Sequence, residues 1–246
     1  MIMAKTKPIE ILDQIFSEMI NVTCIAVATK AVSLEYAKKI CSEKNYDYHL
    51  IKKNGSDELL LYVNASKSVQ MLSANDIISE STPILDVMLL LQEREFLFIK
   101  EKQKITSIVT RADLNSIPVR IYLFGLISLF EMQMRKYIME NIDEWEESLS
   151  IGRLEKAKDL LELKKKRNED VNLIECLQLC DLSLILKRNW KRFYNKLSGF
   201  ERGLTVKSIK KLNDLRDELA HAQNISINHD DTYSLVLFVG KMLNRL

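Results

Sequence analysis

Ile209-Lys-Lys-Leu-Asn-Asp-Leu-Arg-Asp-Glu-Leu-Ala-His-Ala-Gln223 decides how the second half of this chain is read. Leu212, Leu215, Leu219 and Ala222 recur at i, i+3, i+7 and i+10, the stripe of an amphipathic helix with one face on a core. Asn213, Asp217 and Ala220 lie on the neighbouring face. Asp217 is one turn before His221, where a carboxylate fixes the imidazole tautomer and raises its basicity. Arg216 stands about 140° around the helix from His221, which keeps the two groups apart within one straight helix and leaves a seam between two copies as a place for them to meet. In a two-fold site of that kind the arginine steadies a phosphate and the histidine moves a proton near neutral pH. An arginine and a histidine near a helix C-terminus also complement the helix dipole, and the spacing alone leaves both readings open.

The rest of this half is helical by pattern. Pro118 is placed at the start of a long helix. Val119, Tyr122, Leu123, Leu126, Ile127, Phe130, Met134, Tyr137 and Ile138 make one broad apolar stripe along it, roughly 36 Å long. Arg153 to Arg167 reads as an exposed helix with a basic end, Lys164-Lys-Lys-Arg167. Val171 to Leu186 is apolar almost all round and reads as a central bundle helix, and Thr232 to Leu246 closes the chain as another. Asn189-Trp-Lys-Arg-Phe-Tyr194 mixes aromatic and cationic side chains, which pack or stack on bases.

Arg216-Asp217-Glu218-Leu219-Ala220-His221 resembles the R-x4-6-H signature of HEPN domains, helical bundles found in prokaryotic toxins, RNA-targeting defence nucleases and some non-catalytic proteins. The polar residue after the arginine and the place of the motif in the penultimate helix fit that resemblance. It implies a metal-independent endoribonuclease that needs no cofactor, with Arg216, Asp217 and His221 as catalytic residues, RNA as substrate and a homodimer as the working form. It equally implies an alternative, a non-catalytic dimerisation or interaction module.

Composition bounds these readings without choosing between them. The 246 residues are 47% hydrophobic and 28% charged, with 6 Gly and 3 Pro, a balance that suits a helix-rich globular fold. The formal net charge of +2 is not that of a dedicated nucleic-acid clamp, although the excess of cations falls in 117–246. Cys24, Cys41, Cys176 and Cys180 have neither zinc-ligand spacing nor a disulfide framework, and Cys176 and Cys180 read as core residues sharing one helix face. The apolar run Ile121 to Phe130, broken only by Ser128, is too short to cross a bilayer. The expectation is a cytoplasmic protein with no membrane partner.

The amino-terminal half alternates elements. Pro8 to Ile20 has helical periodicity and Thr23 to Ala28 reads as a buried strand; Ser33 caps a helix through Glu43. Tyr46 to Ile51 and Leu59 to Val63 are strands joined through Asn54-Gly55. Then Ser81-Thr82-Pro83 opens the helix Ile84 to Gln92, followed by strands Phe96 to Ile99 and Ile105 to Val109. Two copies of a βαββ unit are expected, each burying its face on the other. The fold class expected is therefore α+β, with paired βαββ repeats over 8–116 and an all-α bundle over 117–246.

The second unit ends in Ile108-Val-Thr-Arg-Ala-Asp-Leu114 and there resembles a CBS domain. The resemblance implies a cleft for an adenine nucleotide acting as a regulatory ligand, with Thr110 near phosphate and Asp113 on the ribose hydroxyls. Ser81 and Thr82, in the first turn of their helix, are further ligand candidates. Thr110-x-x-Asp113 is also close to a helix capping box. The first repeat departs from the pattern, continuing Asn64-Ala-Ser-Lys67 after its last strand. Because the Pro118 helix runs on from the Thr110–Asp113 turn, it is the natural lever between a ligand cleft and the helical half.

Overall fold

The computed structural model describes residues 20–193, 197–221 and 229–246, which fall into two compact units that part between Val119 and Arg120. The expected helix over Pro8 to Ile20 lies outside the described residues except at Ile20.

The first unit contains β1 (Val27–Ala28), α1 (Leu34–Lys44), β2 (Tyr48–Lys52), β3 (Leu59–Val63), β4 (Ser68–Met71), β5 (Ile77–Ser79), α2 (Ile84–Glu93), β6 (Phe96–Glu101) and β7 (Lys104–Thr110). Ser33 caps α1 by accepting from the Tyr36 amide, and Asn45 closes it in the left-handed region. The β2–β3 hairpin turns through Gly55 at φ 76°, which glycine adopts without a Cβ clash. Two sheets result, one ordered β1-β7-β6-β5 and one ordered β2-β3-β4.

The pairing gives the two sheets one pattern. β5 runs parallel to β6, with Ile77 opposite Phe98, and β6 turns antiparallel into β7. In the other sheet Val32 makes a parallel bridge to Ile51, and β2 turns antiparallel into β3. Each hairpin then gains an antiparallel edge from the segment that leads into the other repeat. β1 lies just before α1 yet pairs with β7, and β4 lies just before β5 yet pairs with β3. β1 and β4 thus each pair with a hairpin other than the one that follows them in the chain.

Leu50, Leu61 and Phe98 form the buried centre of one cluster, with Tyr48, Phe96, Ile105 and Ile108 packed against it, so the inner faces of both sheets meet there. The rings of Tyr48 and Phe96 are 4.4 Å apart. On the outer face of the smaller sheet, Ala37 and Cys41 of α1 cover Ile51 and Tyr62. Burial raises the Cys41 thiol pKa above its ordinary value.

Thr23 to Ala28 is not a buried strand. Asn21 accepts from the Thr23 amide and starts a 3-10 turn, Val22–Cys24, so Val22 and Ile25 enter the core while the two-residue β1 is exposed. A capping asparagine outcompetes the β-propensity of a short apolar run.

The second unit is helical. Its elements are α3 (Ile117–Asn141, whose first turn precedes the division), α4 (Ile151–Lys166), α5 (Leu179–Arg188), α6 (Trp190–Phe193), α7 (Arg202–Ala220) and α8 (His229–Leu243). α3 is the central helix, with Leu123, Ile127, Phe130, Met134 and Ile138 buried. Phe130 meets Phe238 edge-on at 6.3 Å, and Tyr137 meets Phe193 at 4.8 Å, so Phe193 packs rather than standing free. Along its 25 residues α3 is long and apolar enough to cross a membrane by length and composition. Its buried side chains alternate with exposed Ile117, Ile121 and Phe124.

Val171 to Leu186 is two elements rather than one helix: a 3-10 turn, Leu173–Cys176, and then α5. The break falls at Leu177 and Gln178 because Asp181 accepts from the Gln178 amide at 3.0 Å and restarts the helix. Cys176 and Cys180 therefore do not share a helix face. Cys176 is buried at the end of the turn, and Cys180 is half-buried in the first turn of α5.

Candidate functional site

α7 is fixed from below by Thr205, Ile209, Leu212 and Leu215, all buried. That leaves Arg216 one step off the core stripe, with its side chain turned toward α3. Its Nη1 donates to Glu131 Oε1 at 3.3 Å, and its Nε and Nη2 donate to Asp217 Oδ1 at 3.2 and 2.7 Å. Glu131 is 8% exposed, and its other oxygen accepts from Arg135 Nη2 at 2.8 Å. The same Arg135 nitrogen holds the Leu177 carbonyl at 2.9 Å.

The order across the helices is Asp217, Arg216, Glu131, Arg135, alternating in sign. Burial works against the charge of Arg216, but the hydrogen bonds it donates to Asp217 and the field of Glu131 outweigh it and hold the guanidinium above its ordinary pKa. Arg216 is a permanent cation whose position two carboxylates determine.

Asp217 does not do what its place below His221 suggests. One carboxylate oxygen is taken by Arg216, and the other accepts from Asn213 Nδ2 at 3.3 Å. Among the described contacts neither oxygen bonds the His221 ring. His221 is the C-cap of α7; its amide donates to the Asp217 carbonyl at 3.1 Å and its side chain is exposed. One helix thus carries a fixed guanidinium and, at its end, an imidazole open to a ligand.

Glu131 is the site residue that sequence reading missed. Its signal was a carboxylate inside the Ile127–Phe130–Met134 stripe, since a charge at a core position needs a partner. A second group on α3 also reaches α7: Arg120 Nη2 donates to the carbonyls of Glu218 and Leu219 at 3.3 and 3.4 Å.

Among the described residues, no group of His, Cys, Asp or Glu is arranged to hold a metal ion. The chemistry open to Arg216 and His221 is charge stabilisation and proton transfer.

In the first unit, Asp113 Oδ2 accepts from the Thr110 amide at 2.7 Å and from Thr110 Oγ1 at 2.8 Å. The pair forms a capping box on the 3-10 turn Arg111–Asn115. Ser81 and Thr82 belong to the turn before α2: Ser81 Oγ is 2.9 Å from Ser79 Oγ, and the Thr82 carbonyl accepts from Val22 at 3.2 Å. Register separates the two sets, because Thr110 is opposite Phe96 at one end of β6, whereas Ser79 is opposite Lys100 at the other. Arg111 holds the Leu91 and Gln92 carbonyls at the far end of α2 from Ser81. Within this repeat, Thr110 and Asp113 form one group and Ser81 and Thr82 another.

Comparison with known families addresses the helical half. Residues 126–246 match the Swt1-like HEPN family model. The match takes in α4 to α8, with Arg216 and His221, and begins in α3 before Glu131. The HEPN reading of this region therefore stands on more than the six-residue motif. No curated protein and no solved structure gave a match to this chain.

Proposed function

We propose that the HEPN-like region is a metal-independent endoribonuclease. The observation that carries this reading is Arg216, held by the buried Glu131, on the same helix that presents His221 at its exposed end, inside the region that matches the Swt1-like HEPN family. In this reading the His221 imidazole takes the proton of a ribose 2′-hydroxyl, and the resulting oxygen attacks the adjacent phosphorus. The bond from phosphorus to the 5′-oxygen breaks, and the leaving oxygen receives a proton. The products are a 2′,3′-cyclic phosphate and a 5′-hydroxyl. Arg216 neutralises the charge that builds on the phosphoryl oxygens, and the need for a 2′-hydroxyl restricts the substrate to RNA. The test is cleavage of labelled RNA in a chelator, with analysis of the product ends.

The carbon framework of α7 keeps Arg216 and His221 on different faces, so the proposed active form is a homodimer with both motif helices around one groove. The paired-sheet unit is proposed as a CBS-like sensor for an adenine nucleotide at Thr110 and Asp113, and the whole as a toxin or defence effector acting in the cytoplasm, away from membranes.

A second reading has its own observation. The Arg216 guanidinium is engaged by two carboxylates of its own chain, as a structural arginine would be, which suits a non-catalytic, nucleotide-responsive interaction module. RNA binding without cleavage, unaffected by loss of His221, distinguishes that reading from the first.

A further inference from the structure

The last turn of α7 carries His221, and its carbonyls are held from outside the helix as well as from within it. The final carbonyls of any helix lack intrahelical donors and fray unless another group supplies them. Here the His221 amide closes on the Asp217 carbonyl at 3.1 Å. The next two carbonyls, of Glu218 and Leu219, are bridged by one nitrogen of Arg120, at 3.3 and 3.4 Å. Arg120 comes from another helix, 98 residues earlier than Glu218 in the chain. Its cation lies at the negative pole of α7, where a positive charge is favourable.

We propose that Arg120 is a positioning residue: it clasps the C-terminal turn of α7 and so fixes where the His221 imidazole is presented. The inference rests on the ribonuclease reading for its effect on rate, but the clasp itself is a property of the fold. His221 is exposed, as the C-cap of its helix, and in the described contacts its ring has no side-chain bond to orient it. Its placement is therefore inherited from the backbone of the preceding turn. Glu131 does for Arg216, through a buried carboxylate, what Arg120 does for His221 through two carbonyls. Both supports come from α3.

The experiment compares the full chain with Arg120→Gln and Arg120→Lys in three readouts: amide hydrogen exchange at Ala220 and His221, the His221 ring signal in protein carrying labelled histidine, and single-turnover RNA cleavage at saturating RNA. The chain has 3 histidines, so His221→Ala assigns the signal. Arg120→Gln is expected to raise exchange at the two amides, shift the ring signal and lower the cleavage rate by roughly ten- to a hundredfold with little change in RNA affinity, as expected for a misplaced group. Arg120→Lys, which keeps a cationic donor, is expected to recover part of each. Unchanged exchange and an unchanged ring signal in Arg120→Gln overturn the clasp. If the wild type cleaves no RNA, the ribonuclease reading fails, while exchange and the ring signal still decide the role of Arg120.

Discussion

A carboxylate only 8% exposed, with Arg135 at 2.8 Å on one oxygen and Arg216 at 3.3 Å on the other, cannot lose its charge without leaving two guanidiniums facing each other. Glu131→Gln is therefore expected to destabilise the helical unit by about 1.5–3 kcal/mol, the range for losing hydrogen bonds to charged groups, and urea denaturation of the full chain measures it. A cost near zero would show that solvent replaces the carboxylate freely. Arg216, Asp217 and His221 stand out as candidates in the sequence because their spacing lies within one helix. Their partners do not, since Glu131 is 85 residues from Arg216 and sits in an apolar stripe. Helical spacing places Asp217 beneath His221, but it cannot show that a neighbouring guanidinium competes for the carboxylate at 2.7 Å and takes it.

At the scale of elements, the sequence was most legible where a single side chain decides a boundary. Ser33 starts α1 and Gly55 turns the β2–β3 hairpin as their chemistry predicts. Boundaries inside uniformly apolar stretches were hidden, because periodicity has no phase to lose when every face is buried. Asp181 is the case in point: its carboxylate accepts from Gln178 at 3.0 Å and also pairs with Arg153. Asp181→Ala is expected to cost about 1–2 kcal/mol, as removal of an N-terminal cap does, and to lower the thermal midpoint; a midpoint equal to wild type would make the cap dispensable. Asp113 makes the same kind of box with Thr110, so two roles must be separated there. If it also binds ribose, Asp113→Ala weakens adenine nucleotide binding by about 1.5–3 kcal/mol. Calorimetry with equal affinity for both proteins would leave Asp113 as a cap alone. The strands β4 and β5, of four and three residues, escaped notice because so short a run has no alternation to read.

For the whole molecule, the α+β class and the order of sheets before helices were visible in the change of period from two to 3.6. The pairing of β1 with β7 and of β4 with β3 was not, because edge pairing is set by tertiary packing rather than by local pattern. The proposed assembly rests on Arg216 and His221 lying on different faces of α7; sedimentation of the active protein is expected to show a two-chain species, and cleavage by a strict monomer would count against the shared groove. In the proposed reaction His221 moves the proton and no metal takes part. Single-turnover cleavage of labelled RNA in excess chelator tests it most directly, with wild type beside a folded His221→Ala. Wild-type cleavage leaving a 2′,3′-cyclic phosphate is expected, with a fall of about 10²–10⁴-fold in the variant, the usual contribution of general acid–base catalysis. Equal rates for the two proteins, or wild-type cleavage only when a divalent metal is restored, would contradict the proposed reaction.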